Sequence, residues 1–517
     1  MNHFLLVQDL ATDAQTLRFH HLIQLLERPI NSNSHHKPFC TLSHLDIQQL
    51  SHDGIITPSQ SSIPNSSAFA VPEIRKNRKR FILWPHESNA LQYAADFHLK
   101  DIQDIVLLLN NPSNTTAWST DLSCSFYQVP LSKEAAAVTV FQTQEGCFQM
   151  QRLPMGHRVA SEIMQLLTTV LTNFLPKVEV IVHIDNIAIT GLPENVASAR
   201  NIILQRAEKY LVTLNASSEP HQQLEFGGVI LNFETRSVTL GPKIIQKLRL
   251  FKRSLAQPLA IRDVLTLFGT LCFATRALFL QIAKHYEAFQ FARDICRMLG
   301  SSPGETTLRK RVSMPIQVNH TFSDWITNSL KTVFPIFNYR LNTAANVTVL
   351  TDASPTGYGA FLFFPNGELR TIGGQFKYRV PVSTAARELL AFLITLKVCQ
   401  HSLSSRQLTW ITDSTAAAAA FNAGFSKSRE LNNIVYTLQM FCFQHLMHIN
   451  STGIISSSNN LADPLSRGFP PPSVQGGGPL LLRSAAAPCP PIPDLNRHSC
   501  PCDVPLDPPI LLSLTPP

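Results

Sequence analysis

The stretch Val180–Gly191, Val-Ile-Val-His-Ile-Asp-Asn-Ile-Ala-Ile-Thr-Gly, constrains this chain more than any other. Two β-branched runs enclose the polar step His183-Ile184-Asp185-Asn186, and Val, Ile and Thr at this density favour strands. The pattern predicts a tight hairpin with buried flanks and a tip that presents a carboxylate and a carboxamide to one side. Such a tip can hold a metal ligand rigidly. An Asp-Asn pair between strands is also ordinary turn chemistry, because both side chains bond their own backbone and tolerate left-handed conformations. The company of the hairpin has to decide, and a second aspartate, Asp121, stands upstream at a strand-to-turn passage within Trp118–Pro130.

At 517 residues the chain has room for several cores, so two or three domains are expected. It carries 43 Lys+Arg against 35 Asp+Glu. Residues 469–517 contribute only Arg483 and Arg497 against Asp494, Asp503 and Asp507, so the basic excess belongs to the part before them. That excess suits a polyanionic partner without requiring one. The ten cysteines have no paired spacing before the tail, which reads as reduced thiols. The opening residues lack a charged n-region and a cleavage site, and no apolar run approaches the roughly 18 residues of a membrane span. A soluble intracellular protein of the nucleus or cytoplasm, with no membrane partner, is expected.

Residues 1–50 show helical spacing interrupted by the polar run 31–36, and are expected to be ordered only in part. Beyond Gly54-Ile55-Ile56-Thr57-Pro58 comes the basic stretch Arg75–Arg80, which predicts a basic hairpin; a solvated charged edge is the plain alternative. Leu153-Pro154-Met155-Gly156 opens a helical pattern through Ile163, Met164, Leu167 and Val170 that leads into the first hairpin. A helix from Val196 and a hairpin around Phe226-Gly227-Gly228 follow. From Lys243 to Met298 the period is helical, beginning with a basic amphipathic helix suited to packing or to tracking a nucleic-acid backbone. A strand–helix alternation from Val347 to Arg467 argues an α/β domain. Residues 469–517, rich in proline, glycine and serine, are expected to be disordered; Cys489, His498, Cys500 and Cys502 are the alternative, a zinc site.

Within that α/β stretch four acids recur at element ends: Asp352, Glu388, Asp413 and Asp463. Hard divalent cations take carboxylate oxygens, and two of them about 4 Å apart stabilise both the attacking and the leaving oxygen of a phosphodiester. Any one of these acids alone is ordinarily a cap or a surface charge. Their contexts, Thr-Asp-Ala-Ser-Pro-Thr-Gly-Tyr-Gly-Ala, Ala-Arg-Glu-Leu-Leu-Ala, Thr-Asp-Ser and Asn-Leu-Ala-Asp-Pro-Leu-Ser-Arg, together resemble a retroelement ribonuclease H domain of hepadnaviral or DIRS-type flavour. The preceding 240 residues in turn resemble a reverse transcriptase, with Arg78-Lys79-Arg80 and Asn89 as fingers, Asp121–Phe126 as the first palm motif, and His183-Ile184-Asp185-Asn186 as the Tyr-x-Asp-Asp hairpin; the whole resemblance covers about residues 50 to 468 in the right order.

The resemblance implies an α/β and α+β multidomain chain. It consists of a right-hand polymerase of fingers and palm (51–236), a helical thumb and connection (237–340), and a ribonuclease H-like α/β domain (341–468). It implies catalytic and metal-binding roles for Asp121, Asp185, Asp352, Glu388, Asp413 and Asp463, with two magnesium or manganese ions per site. Nucleotide contacts fall to Arg78, Lys79, Arg80 and Phe126. The implied partners are an RNA template, a DNA primer, the RNA–DNA hybrid and deoxynucleoside triphosphates. The sequence departs from the family at His183 for tyrosine, at Asn186 for a second aspartate, at Ala216–Glu219 where a lysine is expected, and at Ile454–Asn460 where a histidine is common. Two rival readings are a decayed copy retaining ribonuclease H chemistry alone or neither activity, and a non-catalytic nucleic-acid-binding protein.

Overall fold

The computed structural model describes residues 1–28, 37–73, 78–90, 99–215, 219–300, 304–331, 334–335, 346–376, 383–470 and 487–488. The chain divides into two compact units, Met1–Val238 and Thr239–Pro517. It has the mixed α/β and α+β multidomain architecture expected from the sequence.

The first unit is built on three antiparallel strands, in the spatial order Thr116–Asp121, Asn186–Gly191, Glu179–His183. Alternate residues of a strand face opposite sides, and Trp118, Ile187 and Ile189 turn to one core. The helices Ala160–Leu171 and Pro193–Lys209 close that core with Ile163, Met164, Leu167, Val170, Val196, Ala199 and Ile203, a helical stripe in each case. A second cluster joins the hairpin Ser67–Glu73/Arg78–Trp84 to the small sheet of Ile56–Pro58, Gly146–Met150 and Phe141–Thr143. Leu83 of the second cluster abuts Gly156, whose φ is +117° and where an added Cβ would lie 2.2 Å from the Leu83 carbonyl oxygen. Only glycine fits there.

Of the first fifty residues the structure describes 1–28 and 37–50. They form the helices His3–Leu10, Asp13–Leu26 and His44–His52, the last two opened by reciprocal capping boxes at Thr12–Gln15 and Ser43–Asp46. Leu6, Phe19, Leu22 and Leu26 enter the core of the three-stranded sheet, and Arg18 pairs with Glu162 at 2.5 Å. Helices this short are marginal alone and take their stability from the surface they cover, which sequence periodicity does not display. The polar run 31–36 lies outside the described residues.

The second unit begins with the helices Pro242–Ser254, Ile261–Ala277, Tyr286–Leu299 and Ile316–Lys331. They surround Trp325, whose indole Nε1 donates to Thr275 Oγ1 at 2.7 Å and whose ring stacks on His285. Next come five strands in the spatial order Leu369–Gln375, Gly357–Phe363, Asn346–Ala353, Gln407–Thr412, His448–Ile454. The first three are antiparallel and the last two add in parallel, as intervening helices require. Val349 and Trp410 face the helices Thr384–Val398 and Arg429–Gln444, while Leu350 and Ile411 face Ile455, Ala462 and Leu465. The helical part docks on this sheet domain: Asn432 Nδ2 donates to the Ala283 carbonyl at 2.8 Å, Arg429 pairs with Glu287, and Phe289 stacks on Phe425.

Of residues 469–517, only Phe469, Pro470 and a two-residue strand, Ala487–Pro488 on Gly453–Ile454, are described. The zinc alternative at Cys489, His498, Cys500 and Cys502 and most of the expected disorder lie outside the described residues.

Candidate functional site

In the first unit, strand pairing places Asp121 opposite Asn186 and closes the turn His183-Ile184-Asp185-Asn186, bringing Asp121 beside Asp185. Ile184 has a φ of +60°. A β-branched residue there costs about 1–3 kcal/mol and persists only where surrounding contacts over-determine it. Gln165, on the helix Ala160–Leu171, supplies two: its Oε1 accepts from Ile184 N at 2.6 Å and its Nε2 donates to Val182 O at 3.2 Å. The carboxylates are tied as well. Ser125 Oγ donates to Asp185 Oδ2 at 2.8 Å, Asn186 Nδ2 donates to Asp185 Oδ1 at 2.9 Å, and Asn215 Nδ2 donates to Asp121 Oδ2 at 2.8 Å. Both oxygens of Asp185 therefore have a protein donor.

Phe126 follows on the one-turn helix Ser125–Gln128 and packs half-buried against the core. Arg78, Lys79 and Arg80 lie on the strand Arg78–Trp84. There Lys79 pairs with Asp46 at 2.7 Å and Arg80 with Glu73 at 2.6 Å; the side chain of Arg78 lies outside the described residues. That strand approaches the segment of Phe126 through Tyr127, whose hydroxyl donates to Phe81 O at 3.2 Å. Asn89 clamps the start of the next motif, its Nδ2 donating to Gly156 O and its Oδ1 accepting from Arg158 N, both at 2.8 Å.

In the second unit, Asp352, Glu388 and Asp413 offer carboxylate oxygens that all lie within 4.8 Å of one another. Asp352 ends the central strand and Asp413 follows its parallel neighbour, while Glu388 comes from the helix Thr384–Val398 that crosses between them. Burial, with Asp413 and Asp463 nearby, pushes Asp352 up to about 6. Burial, with Asp352 and Asp413, pushes Glu388 up to about 9. Glu388 Oε1 accepts from Ala353 N at 3.1 Å, whereas its buried Oε2 has no partner. Three crowded acids with an orphaned oxygen are a poor arrangement for an empty site and a good one for a hard cation. Asp463 stands apart from the three: its carboxylate takes a forked contact from Arg467, with the nearest nitrogen at 2.7 Å.

No family model matches the chain. It is 26% identical over 391 residues to the retrovirus-related Pol polyprotein from transposon gypsy of Drosophila melanogaster, a match spanning 71% of this chain and 35% of the relative. The Pol polyprotein from transposon 412 of the same organism is 24% identical over 175 residues, 32% of this chain and 14% of the relative. The enzymatic polyprotein of Figwort mosaic virus is 30% identical over 122 residues, 23% and 18% of the two chains. The chain resembles retroelement Pol polyproteins.

The chain spans between 14% and 35% of the length of these relatives. Among solved structures, the foamy viral protease-reverse transcriptase in complex with double-stranded DNA has a TM-score of 0.47 at 14% identity, covering 80% of this chain and 88% of that one. Its complex with RNA/DNA hybrid gives the same score at 13% identity over 84% and 61%.

Sequence reading of this Pol-like chain missed Ser125, Gln165 and Asn215, and also Ser457 and Asn460, which donate to Asp413 and Asp352. Each acts on a carboxylate or on the hairpin from a distant segment, so nothing at its own position marks it. The Asp463–Arg467 pair was open to view, because a spacing of four along a helix brings such side chains together. The missing-lysine positions Ala216–Ser218 lie outside the described residues. Glu219, just beyond, pairs with Arg200. Among the described residues no helix is long and apolar enough to cross a membrane.

Proposed function

We propose that this chain is the polymerase and ribonuclease H part of a retroelement Pol protein, copying RNA into DNA and cutting the RNA strand of the resulting hybrid. The observation that carries the reading is the pairing of two acid sites in one chain: Asp121 beside Asp185 on a strained hairpin, and the cluster of buried Asp352 and Glu388 with half-buried Asp413. Relatives of the same kind match along much of the chain. Asp121 and Asp185 would hold divalent cations at the first site, with the three acids holding them at the second. Magnesium or manganese there supplies charge neutralisation at the reacting phosphate and lowers the cost of an oxygen nucleophile. The chain's own residues fix where this happens. Gln165 holds the turn and Asn215 orients Asp121, and by the resemblance Phe126 would be the ring that crowds a ribose 2′-hydroxyl and favours deoxynucleoside triphosphates. Lys79 and Arg80 have to leave Asp46 and Glu73 to meet a triphosphate.

Template, primer and hybrid are the polyanionic partners that the basic balance suits. One observation favours a ribonuclease H-only protein as the second reading: Asn186 occupies an oxygen of Asp185. Extension of a DNA primer on an RNA template, run beside cleavage of labelled RNA in a hybrid, separates these readings. The proposal expects both activities, Asp185→Asn removing the first and Asp352→Asn the second. Binding of hybrid with neither activity would leave a nucleic-acid-binding protein.

A further inference from the structure

The loop after the strand His448–Ile454 carries three serines in a row, Ser456-Ser457-Ser458, then Asn459 and Asn460. It leaves the strand that pairs in parallel with Gln407–Thr412, so it starts beside Asp413, and Ile455 N donates to Thr412 O at 3.1 Å. Ser457 opens a single turn, Ser457–Asn459, and its Oγ donates to Asp413 Oδ2 at 2.6 Å. Three residues on, Asn460 is 4% exposed and has every polar atom in use. Its Nδ2 donates to Thr351 O at 3.2 Å and to Asp352 Oδ1 at 3.1 Å, while its Oδ1 accepts from Ala462 N at 3.1 Å. Ala353 N does the same for Glu388. Each of the three clustered acids thus has one oxygen bound to a protein donor.

We propose that Ser457 and Asn460 are positioning residues that hold Asp413 and Asp352 so that their other oxygens converge on a divalent cation. The inference rests on the ribonuclease H reading of the cluster. Three carboxylates this close repel, and an untied one rotates away; a donor on one oxygen fixes the plane of the group. Asn460 is tied to the central strand through the Thr351 carbonyl. Ser457 is exposed, so its bond to Asp413 persists against water only through its position. Magnesium demands near-ideal octahedral geometry and punishes a loose ligand. Loss of an outer hydrogen-bond partner of a metal ligand costs about 10–100-fold in affinity. A serine that only shapes its loop would instead affect stability alone.

The test titrates the full chain with Mg²⁺ and with Mn²⁺ by calorimetry, taking the binding component lost in Asp352→Asn as that of this cluster. Ser457→Ala, at an exposed position, is expected to weaken that component at least tenfold for Mg²⁺, with a smaller loss for Mn²⁺. Ser457→Thr keeps the hydroxyl and is expected to bind as the parent does. In hybrid cleavage the same loss appears as a raised Mg²⁺ requirement, with the rate at saturating metal changed less. If Ser457→Ala binds both ions like the parent while Asp352→Asn does not, the positioning role is wrong and the ribonuclease H reading stands. If Asp352→Asn removes no binding component and the parent cuts no hybrid, that reading fails and the inference falls with it.

Discussion

Replacing Asp352 by asparagine is expected to stabilise the metal-free protein while destroying its response to metal. Asp352 is 4% exposed and sits with Glu388 and Asp413 around a common point. Its pKa rises from 3.8 to about 6. The folded state therefore keeps this proton to higher pH than the unfolded chain, and stability falls as pH rises from about 4 to 6. Above that window the cost is complete, and at 1.36 kcal/mol per unit it comes to about 3 kcal/mol. Glu388, pushed up to about 9, extends the decline further in the same direction. Asparagine has nearly the same shape, keeps an oxygen to accept from Asn460 and carries no charge. In chelator at pH 8 the variant should gain about 2–3 kcal/mol over the parent, and at pH 4 almost nothing. Adding Mg²⁺ at about a thousand times its dissociation constant should reverse the order at pH 8, since it then contributes about 4.1 kcal/mol to the protein that binds it. Urea unfolding followed by circular dichroism, at both pH values with and without Mg²⁺, reads all four conditions. An Asp352→Asn protein no more stable than the parent at pH 8 in chelator, or one with the same gain at pH 4, would refute the charge-crowding argument.

At the hairpin, Asn186→Asp returns a charge and frees Asp185 Oδ1, so Mg²⁺-dependent primer extension should rise; Asp185→Asn extending as well as the parent would sink the polymerase reading. Gly359→Ala should cost about 1–3 kcal/mol, because the new Cβ would lie 2.5 Å from the Ala462 carbonyl oxygen and 2.6 Å from Leu465 Cβ. Thermal unfolding checks this, and an unchanged midpoint would contradict the close approach. A fragment of residues 341–468 should express less soluble protein and unfold earlier than one of residues 239–468, since it lacks the cover over Asn432 and Phe425. Equal behaviour would show that the docking adds nothing.

The sheet elements were legible because their residues alternate and their polar breaks are abrupt. Val180–His183 and Asn186–Gly191 announce a hairpin, and Asp352 and Asp413 end runs too apolar to be anything but central strands. The helix Thr384–Val398 was visible for a similar reason, with Glu388 a lone acid on a buried face. The helical spacing of the opening residues was legible but the surface that holds them was not, because it belongs to a segment more than a hundred residues away. Arg18 needs Glu162, and Asn173 reaches back to Leu10. The same distance hid the ties on the carboxylates. Ser457 looks like any serine in a polar loop, and Asn215 gains meaning only when Thr213–Asn215 is laid beside Asp121–Ser123. Strand order and pairing create these neighbours, and a linear pattern carries no record of them.

The docking of the helical segment on the sheet domain bears on how such chains can be recombined. Asn432 is 1% exposed, with its amide donating to Ala283 and its carbonyl oxygen accepting from Ser426 N at 3.2 Å. A crossover that imported the sheet domain alone, with a joint near residue 341, would set this asparagine against a foreign surface. A buried amide left without its acceptor costs about 1–3 kcal/mol, a large part of the margin of a small domain. A traded piece that keeps this contact therefore includes the helices before the acid cluster, which travel with it as inherited cargo.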